Sequence, residues 1–158
     1  MIIKGLDECD IVNYKKTSMF IIFPFCTFKC EKECGEHCCQ NSALVQIPSI
    51  EVDTKLIIDR YLNNPMTSAI VCGGMEPMDS FKDLYSLISI LRNRGCDDDI
   101  VIYTGFYKDE ILDKIEQLKN FNNIIIKFGR FIPNQKEHYD DILGVKLASH
   151  NQYAERIS

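Results

Sequence analysis

Apolar residues in this chain fall in short unbroken runs, and between the runs they recur at helical spacing. Ser18 to Phe25 (Ser-Met-Phe-Ile-Ile-Phe-Pro-Phe) has no alternation, which predicts a strand buried on both faces, and Pro24 ends its ladder. Ala69 to Cys72, Asp99 to Tyr103 and Asn123 to Phe128 repeat that pattern, and Ile142 to Leu147 reads as a last strand. Asp53 is a candidate N-cap for a helix over Thr54 to Leu62, stopped by Asn63-Asn64-Pro65. From Ser80 to Arg92, Phe81, Leu84, Leu87, Ile88 and Leu91 share one helical face, and Gly95 closes it. Lys108 to Lys119 carries Ile111, Leu112, Ile115 and Leu118 in the same way. Ile2-Ile3 reads as the start of an edge strand, Asp10 to Lys16 as a polar turn, Gly129 to Asp141 as a loop, and the tail from Asn151 as a short helix.

Strands alternating with helices predict right-handed crossovers and an α/β fold with a mainly parallel sheet. In such sheets ligands sit beyond the carboxyl ends of the strands. The unusual segments fall there: Cys26 to Cys39 after the first core strand, Gly73-Gly74-Met75-Glu76-Pro77 after the second, Thr104-Gly105 after the third, and Ser149-His150-Asn151-Gln152 after the last.

Composition narrows the chemistry. At 158 residues and 46% hydrophobic content, one domain spanning 1–158 with one core is expected. A net charge of −5 with no basic footprint argues against nucleic acid as partner. No signal-peptide pattern opens the chain and no apolar run nears the ~20 residues of a membrane span, so a soluble, cytoplasmic protein is expected. There thiols stay reduced, and five of the eight cysteines within residues 26–39 point to metal or redox chemistry rather than structural bridges. Spacing alone leaves two sites open. One is a cubane iron–sulfur cluster held by three thiolates with one iron free; the other is a structural zinc held by four of Cys26, Cys30, Cys34, Cys38 and Cys39, with His37 in reserve.

Two glycines after a strand let a ligand approach the backbone, and the carboxylate of Glu76 can pair with an ammonium group, so Gly73, Gly74 and Glu76 suit the amino-acid end of a ligand. The same residues also suit a plain strand-to-helix turn. Cys72 and Cys96 read as small buried or half-buried thiols. His37, His138 and His150 are isolated, and no Ser-His-Asp or paired-carboxylate arrangement occurs.

Together these segments carry a resemblance. Cys26-x-x-x-Cys30 after the first strand, Cys39-Gln40-Asn41, Gly73-Gly74-Met75-Glu76-Pro77, Tyr103-Thr104-Gly105-Phe106, and the closing Lys127-Phe128-Gly129-Arg130-Phe131-Ile132 with Leu147 to Gln152 are similar to the activating proteins of anaerobic (class III) ribonucleotide reductases. Those are small radical S-adenosylmethionine enzymes, and the similarity runs from about Asp10 to the end. It implies a partial (β/α) barrel of radical-SAM type. It further implies a 4Fe-4S cluster on Cys26, Cys30 and Cys39, with Cys34 the alternative third ligand, and S-adenosylmethionine chelating the open iron. A one-electron donor such as flavodoxin would feed the cluster. The 5′-deoxyadenosyl radical released by reductive cleavage would install a glycyl radical on the large subunit of the partner reductase. Gly73, Gly74 and Glu76 would orient the methionine moiety; Thr104, Gly105, Ser149 and Asn151 would meet ribose, carboxylate or adenine. The chain departs from the family pattern twice. An insertion follows Cys30, leaving Cys38 where an aromatic residue usually stands and its backbone toward the adenine, and Met75 splits Gly-Gly-Glu-Pro.

Overall fold

The computed structural model describes all 158 residues. Its main sheet contains six strands: β2 (Gly5–Asp10), β3 (Ser18–Phe23), β5 (Ala69–Gly74), β6 (Asp99–Tyr103), β7 (Ile124–Phe128) and β10 (Tyr153–Arg156). Their spatial order is β10-β7-β6-β5-β3-β2. The four central strands are parallel and neighbours in sequence order, while β2 and β10 run antiparallel at the two edges. The fold is therefore α/β with a mixed, mostly parallel, open sheet.

Successive parallel neighbours joined by right-handed crossovers carry their helices on one face. Those helices are α2 (Thr54–Leu62), α3 (Phe81–Asn93) and α4 (Leu112–Leu118). Asp53 caps α2 by accepting from the Lys55 amide at 2.9 Å. Strand alternation then divides the core. Met19, Ile21, Phe23, Ile70, Cys72, Ile100, Ile102, Ile124, Ile126 and Phe128 meet the helices in a cluster of 23 buried residues. Val71, Val101 and Ile125 face the other way with Tyr14, Leu143 and Leu147 in a cluster of eight. None of these three helices packs on that second face.

Two expectations near the end of the chain are corrected. The tail from Asn151 is strand β10, not a helix: Tyr153, Ala154, Glu155 and Arg156 pair with Phe128 back to Ile125. The unpaired edge of β7 takes the tail as a strand, and Ala154 is buried while Tyr153 and Arg156 are exposed. Ile142 to Leu147 is not one strand of the main sheet. Asp140 accepts from the amides of Ile142 and Leu143 and turns the chain, leaving β9 (Val145–Leu147) to pair with β8 (His138–Asp140) in a separate hairpin. Four further elements went unforeseen: edge strand β2, a short helix α1 (Lys29–Cys34) inside the cysteine loop, the short strand Ile50–Glu51, and β8 within the stretch Gly129 to Asp141 that was expected to be a loop. Strand β1 (Ile2–Ile3) does form, against β4 (Ile50–Glu51).

Candidate metal centre

The carboxyl ends of the parallel strands enclose a cleft of about 590 Å³. Cys26, Cys30 and Cys39 line it, as do Gly74, Glu76, Thr104, Gly105 and Lys127; Cys34 and Cys38 do not.

Helix α1 buries none of its side chains, so apolar packing does not place Cys30. Polar contacts do. The Thr27 amide and hydroxyl both donate to Asp79 Oδ2, at 2.8 and 2.9 Å, and the Glu76 amide donates to the Phe25 carbonyl at 2.8 Å. Lys29 donates to Glu110 at 3.2 Å and lies 4.1 Å above the Phe106 ring. Glu33 accepts from the Tyr107 hydroxyl at 3.1 Å and pairs with Arg130 Nε at 3.0 Å. Arg130, its side chain only 6% exposed, also donates to Glu110 at 2.6 Å and stacks on Tyr107. That pair, with burial as the opposing effect, holds the Glu110 carboxyl down to about 2.

Hydrogen-bond partners sort the five thiols of the loop. The Phe28 amide donates to Cys26 Sγ at 3.2 Å, and the backbones of Phe131 and Asn41 work against the effect of burial at Cys30 and Cys39. Amide donors favour the thiolate, the form that ligates metal. Cys34 instead donates its own proton to the carbonyls of Glu31 (3.7 Å) and Glu36 (3.2 Å), as a neutral thiol does. Burial, and then the neighbouring Cys34, push the Cys38 thiol up to about 12. Burial pushes all three cleft thiols up, Cys26 to about 12. Iron coordination reverses that penalty, because a ligating thiol is deprotonated outright.

Glu76 is the buried anion of the cleft. Its Oε1 accepts from the Thr104 hydroxyl (2.8 Å) and the Met78 amide (3.0 Å), and its Oε2 from the Gly105 amide (2.8 Å). Burial outweighs those three donors and lifts the carboxyl to about 7. Any side chain at 105 would press on Cys30 Sγ, since a Cβ there would lie 3.3 Å from it and 3.6 Å from Glu76 Oε2. Gly74 turns the chain toward Glu76 at φ +78°, and a Cβ would come within 2.5 Å of Ile22.

Three cysteines lining one cleft are a donor set that suits an iron–sulfur cluster, which is held by Cys thiolates on separate irons. The model of the 4Fe-4S single cluster domain matches residues 16–153. The chain belongs to that family. Among curated proteins none matches it. In this cluster domain no helix is long and apolar enough to cross a membrane.

Of the remaining sequence candidates, Gly73, Ser149 and Asn151 lie around the cleft rather than in it. Gly73 sits beneath Phe20, where a Cβ would approach to 2.9 Å. Thr104 faces the cleft, but its hydroxyl is committed to Glu76 and accepts from the Phe106 amide. Ser149 is fully buried and, with Asn151, donates to the Arg130 carbonyl, so both brace the β7–β8 connection. Their neighbour Gln152 is the one that lines the cleft. His37 and His150 are exposed. Sequence reasoning passed over Lys127, Arg130 and the α1 clamp. A lysine inside the apolar run Ile124–Phe128 was a signal for the first; the clamp joins residues as remote in sequence as Glu33 and Arg130 and left none.

Proposed function

We propose that the cluster domain is a radical S-adenosylmethionine activase whose sheet is the open wall of a partial (β/α) barrel of radical-SAM type. Its substrate is a glycine of an anaerobic (class III) ribonucleotide reductase large subunit, its electron donor a flavodoxin-like protein, and its compartment the cytoplasm. The observation that carries this reading is that Cys26, Cys30 and Cys39 line one cleft with the buried carboxyl of Glu76. When bound, the cluster and S-adenosylmethionine would supply one-electron cleavage of the sulfonium carbon–sulfur bond and, through it, the means to abstract the glycine hydrogen.

The chain's residues bind and orient. Cys26, Cys30 and Cys39 hold the cluster, and the Phe28 amide shares the charge on Cys26. A carboxylate offers about four lone-pair directions, and Glu76 has committed three, so one on Oε2 remains for the ligand's ammonium. Thr104 and Gly105 act through Glu76 by holding it in place. Gly73 and Gly74 set the turn on which it stands, and the Cys38 backbone, Ser149 and Asn151 shape the adenine end. The cleft opens on the sheet face without helices, where a loop of a large protein can reach it. Coexpression with a candidate reductase, followed by electron paramagnetic resonance, tests the proposal. A glycyl radical that depends on Cys39 supports it; cluster reduction and 5′-deoxyadenosine release without any glycyl radical assign the enzyme another substrate.

A further inference from the structure

The three cleft thiols have unequal electrostatic surroundings. The charges nearest Cys26 are the carboxylates of Glu76 and Asp79, and Cys39 lies near Glu31. Cys30 lines the cleft with both Lys127 and Glu76, and of the three thiols it is the one on which cations, Lys127 and Arg130, act alongside that carboxylate. Arg130 is already matched by Glu110 and Glu33. Lys127 has no carboxylate within ion-pair distance.

Strand alternation aims Lys127 away from the helices, on the side of β7 that carries Ile125, opposite Tyr103 in register. Its side chain is buried yet lines the cleft. Of three ammonium donors only one is used within the chain, to the Gly129 carbonyl at 3.0 Å. Burying such a charge is costly unless something compensates it. The groups that act on it are the carboxylate of Glu76 and the thiol of Cys30, with the Tyr103 ring 5.9 Å from its ammonium.

We infer that Lys127 is the fixed counter-charge of the cysteine centre at Cys30, and that it raises the cluster's reduction potential before any nucleotide binds. This rests on the cluster assignment but not on S-adenosylmethionine or the reductase. Reduction adds one negative charge to a centre already holding three thiolates, and a cation in a low-dielectric wall favours the reduced form.

The test is a redox titration of the anaerobically reconstituted protein, followed by electron paramagnetic resonance without S-adenosylmethionine, on wild type, Lys127→Met and Lys127→Arg. Lys127→Met is expected to shift the reduction equilibrium at least about tenfold toward the oxidised cluster, about 59 mV for a one-electron couple, and Lys127→Arg to restore most of it. Lys127→Gln serves as the neutral variant should the methionine protein take up too little iron. Midpoints that agree within about twofold in equilibrium overturn the inference. So does an unchanged midpoint with weakened S-adenosylmethionine binding, which assigns the ammonium to the ligand's carboxylate. A wild-type chain that assembles no cluster removes the cluster assignment itself, a failure visible before any variant is compared.

Discussion

Replacing Glu76 by Gln tests the electrostatics of the cleft without any cofactor. Burial raises the carboxyl from its ordinary 4.5 to about 7, so the folded protein keeps a proton that the unfolded chain has released. Between those two values the folded state binds more protons, and stability therefore falls as pH rises through the window. At about 1.4 kcal/mol per pH unit, the loss is about 3 kcal/mol by pH 7 and constant above it. Gln cannot ionise, so its stability is flat across the same range. Its amide would face the Gly105 N–H and leave one donor unmet, a pH-independent cost of about 1–3 kcal/mol, so the informative quantity is the pH dependence of the difference. Urea unfolding of the iron-free, reduced protein from pH 5 to 8, followed by circular dichroism, measures it. Lys127, which burial lowers to about 8, and the thiols, which burial raises, titrate at or above the upper end of this range. The gap between variant and wild type should move by about 3 kcal/mol in favour of Gln as pH rises. A gap that moves by less than about 1 kcal/mol refutes the reading of Glu76 as a buried, costly charge awaiting a cation.

Four further outcomes are expected. Cys26→Ala, Cys30→Ala and Cys39→Ala should each bind little iron after reconstitution, while Cys34→Ala and Cys38→Ala retain it by iron and sulfide analysis. Arg130→Ala breaks two ion pairs at a buried guanidinium and should cost about 3 kcal/mol in urea unfolding, with hydrogen exchange accelerated over residues 29–34. Gly129→Ala, at φ +96° with its Cβ 2.8 Å from the Asn151 carbonyl oxygen, should cost about 1–3 kcal/mol, seen as a lower urea midpoint. S-adenosylmethionine, as the probe cation for Glu76, should bind the reconstituted protein more tightly at pH 8 than at pH 6, because its ammonium needs the carboxylate ionised; calorimetry in buffers of different ionisation heat would show the proton released.

The parallel core was legible because its strands are buried on both faces and write themselves as unbroken apolar runs; β6 falls on Asp99–Tyr103 as read. The edges were not. Strand β2 is Gly-Leu-Asp-Glu-Cys-Asp and β10 is Tyr-Ala-Glu-Arg, each half solvated, and both owe their pairing to a neighbour remote in sequence. At the site, cysteines, paired glycines and an acidic residue after strands are legible because the chemistry needs those residue types there. Which thiols face the cleft is not, since that follows from which amides and carbonyls the loop turns toward each sulfur. The same holds for the clamp on α1, where a helix with no buried side chain is held by Tyr107, Glu110 and Arg130 from two other loops. Lys127 shows a third case: the residue was in plain view, but its role depends on the strand face it occupies.

The most direct measurement is the product formed when the anaerobically reconstituted protein is reduced with dithionite in the presence of S-adenosylmethionine. A brown protein with about four irons that releases 5′-deoxyadenosine, and stops doing so when Cys39 is replaced by Ala, is the predicted result. A colourless protein holding one zinc, or a four-iron cluster that reduces fully yet leaves S-adenosylmethionine intact, would contradict it.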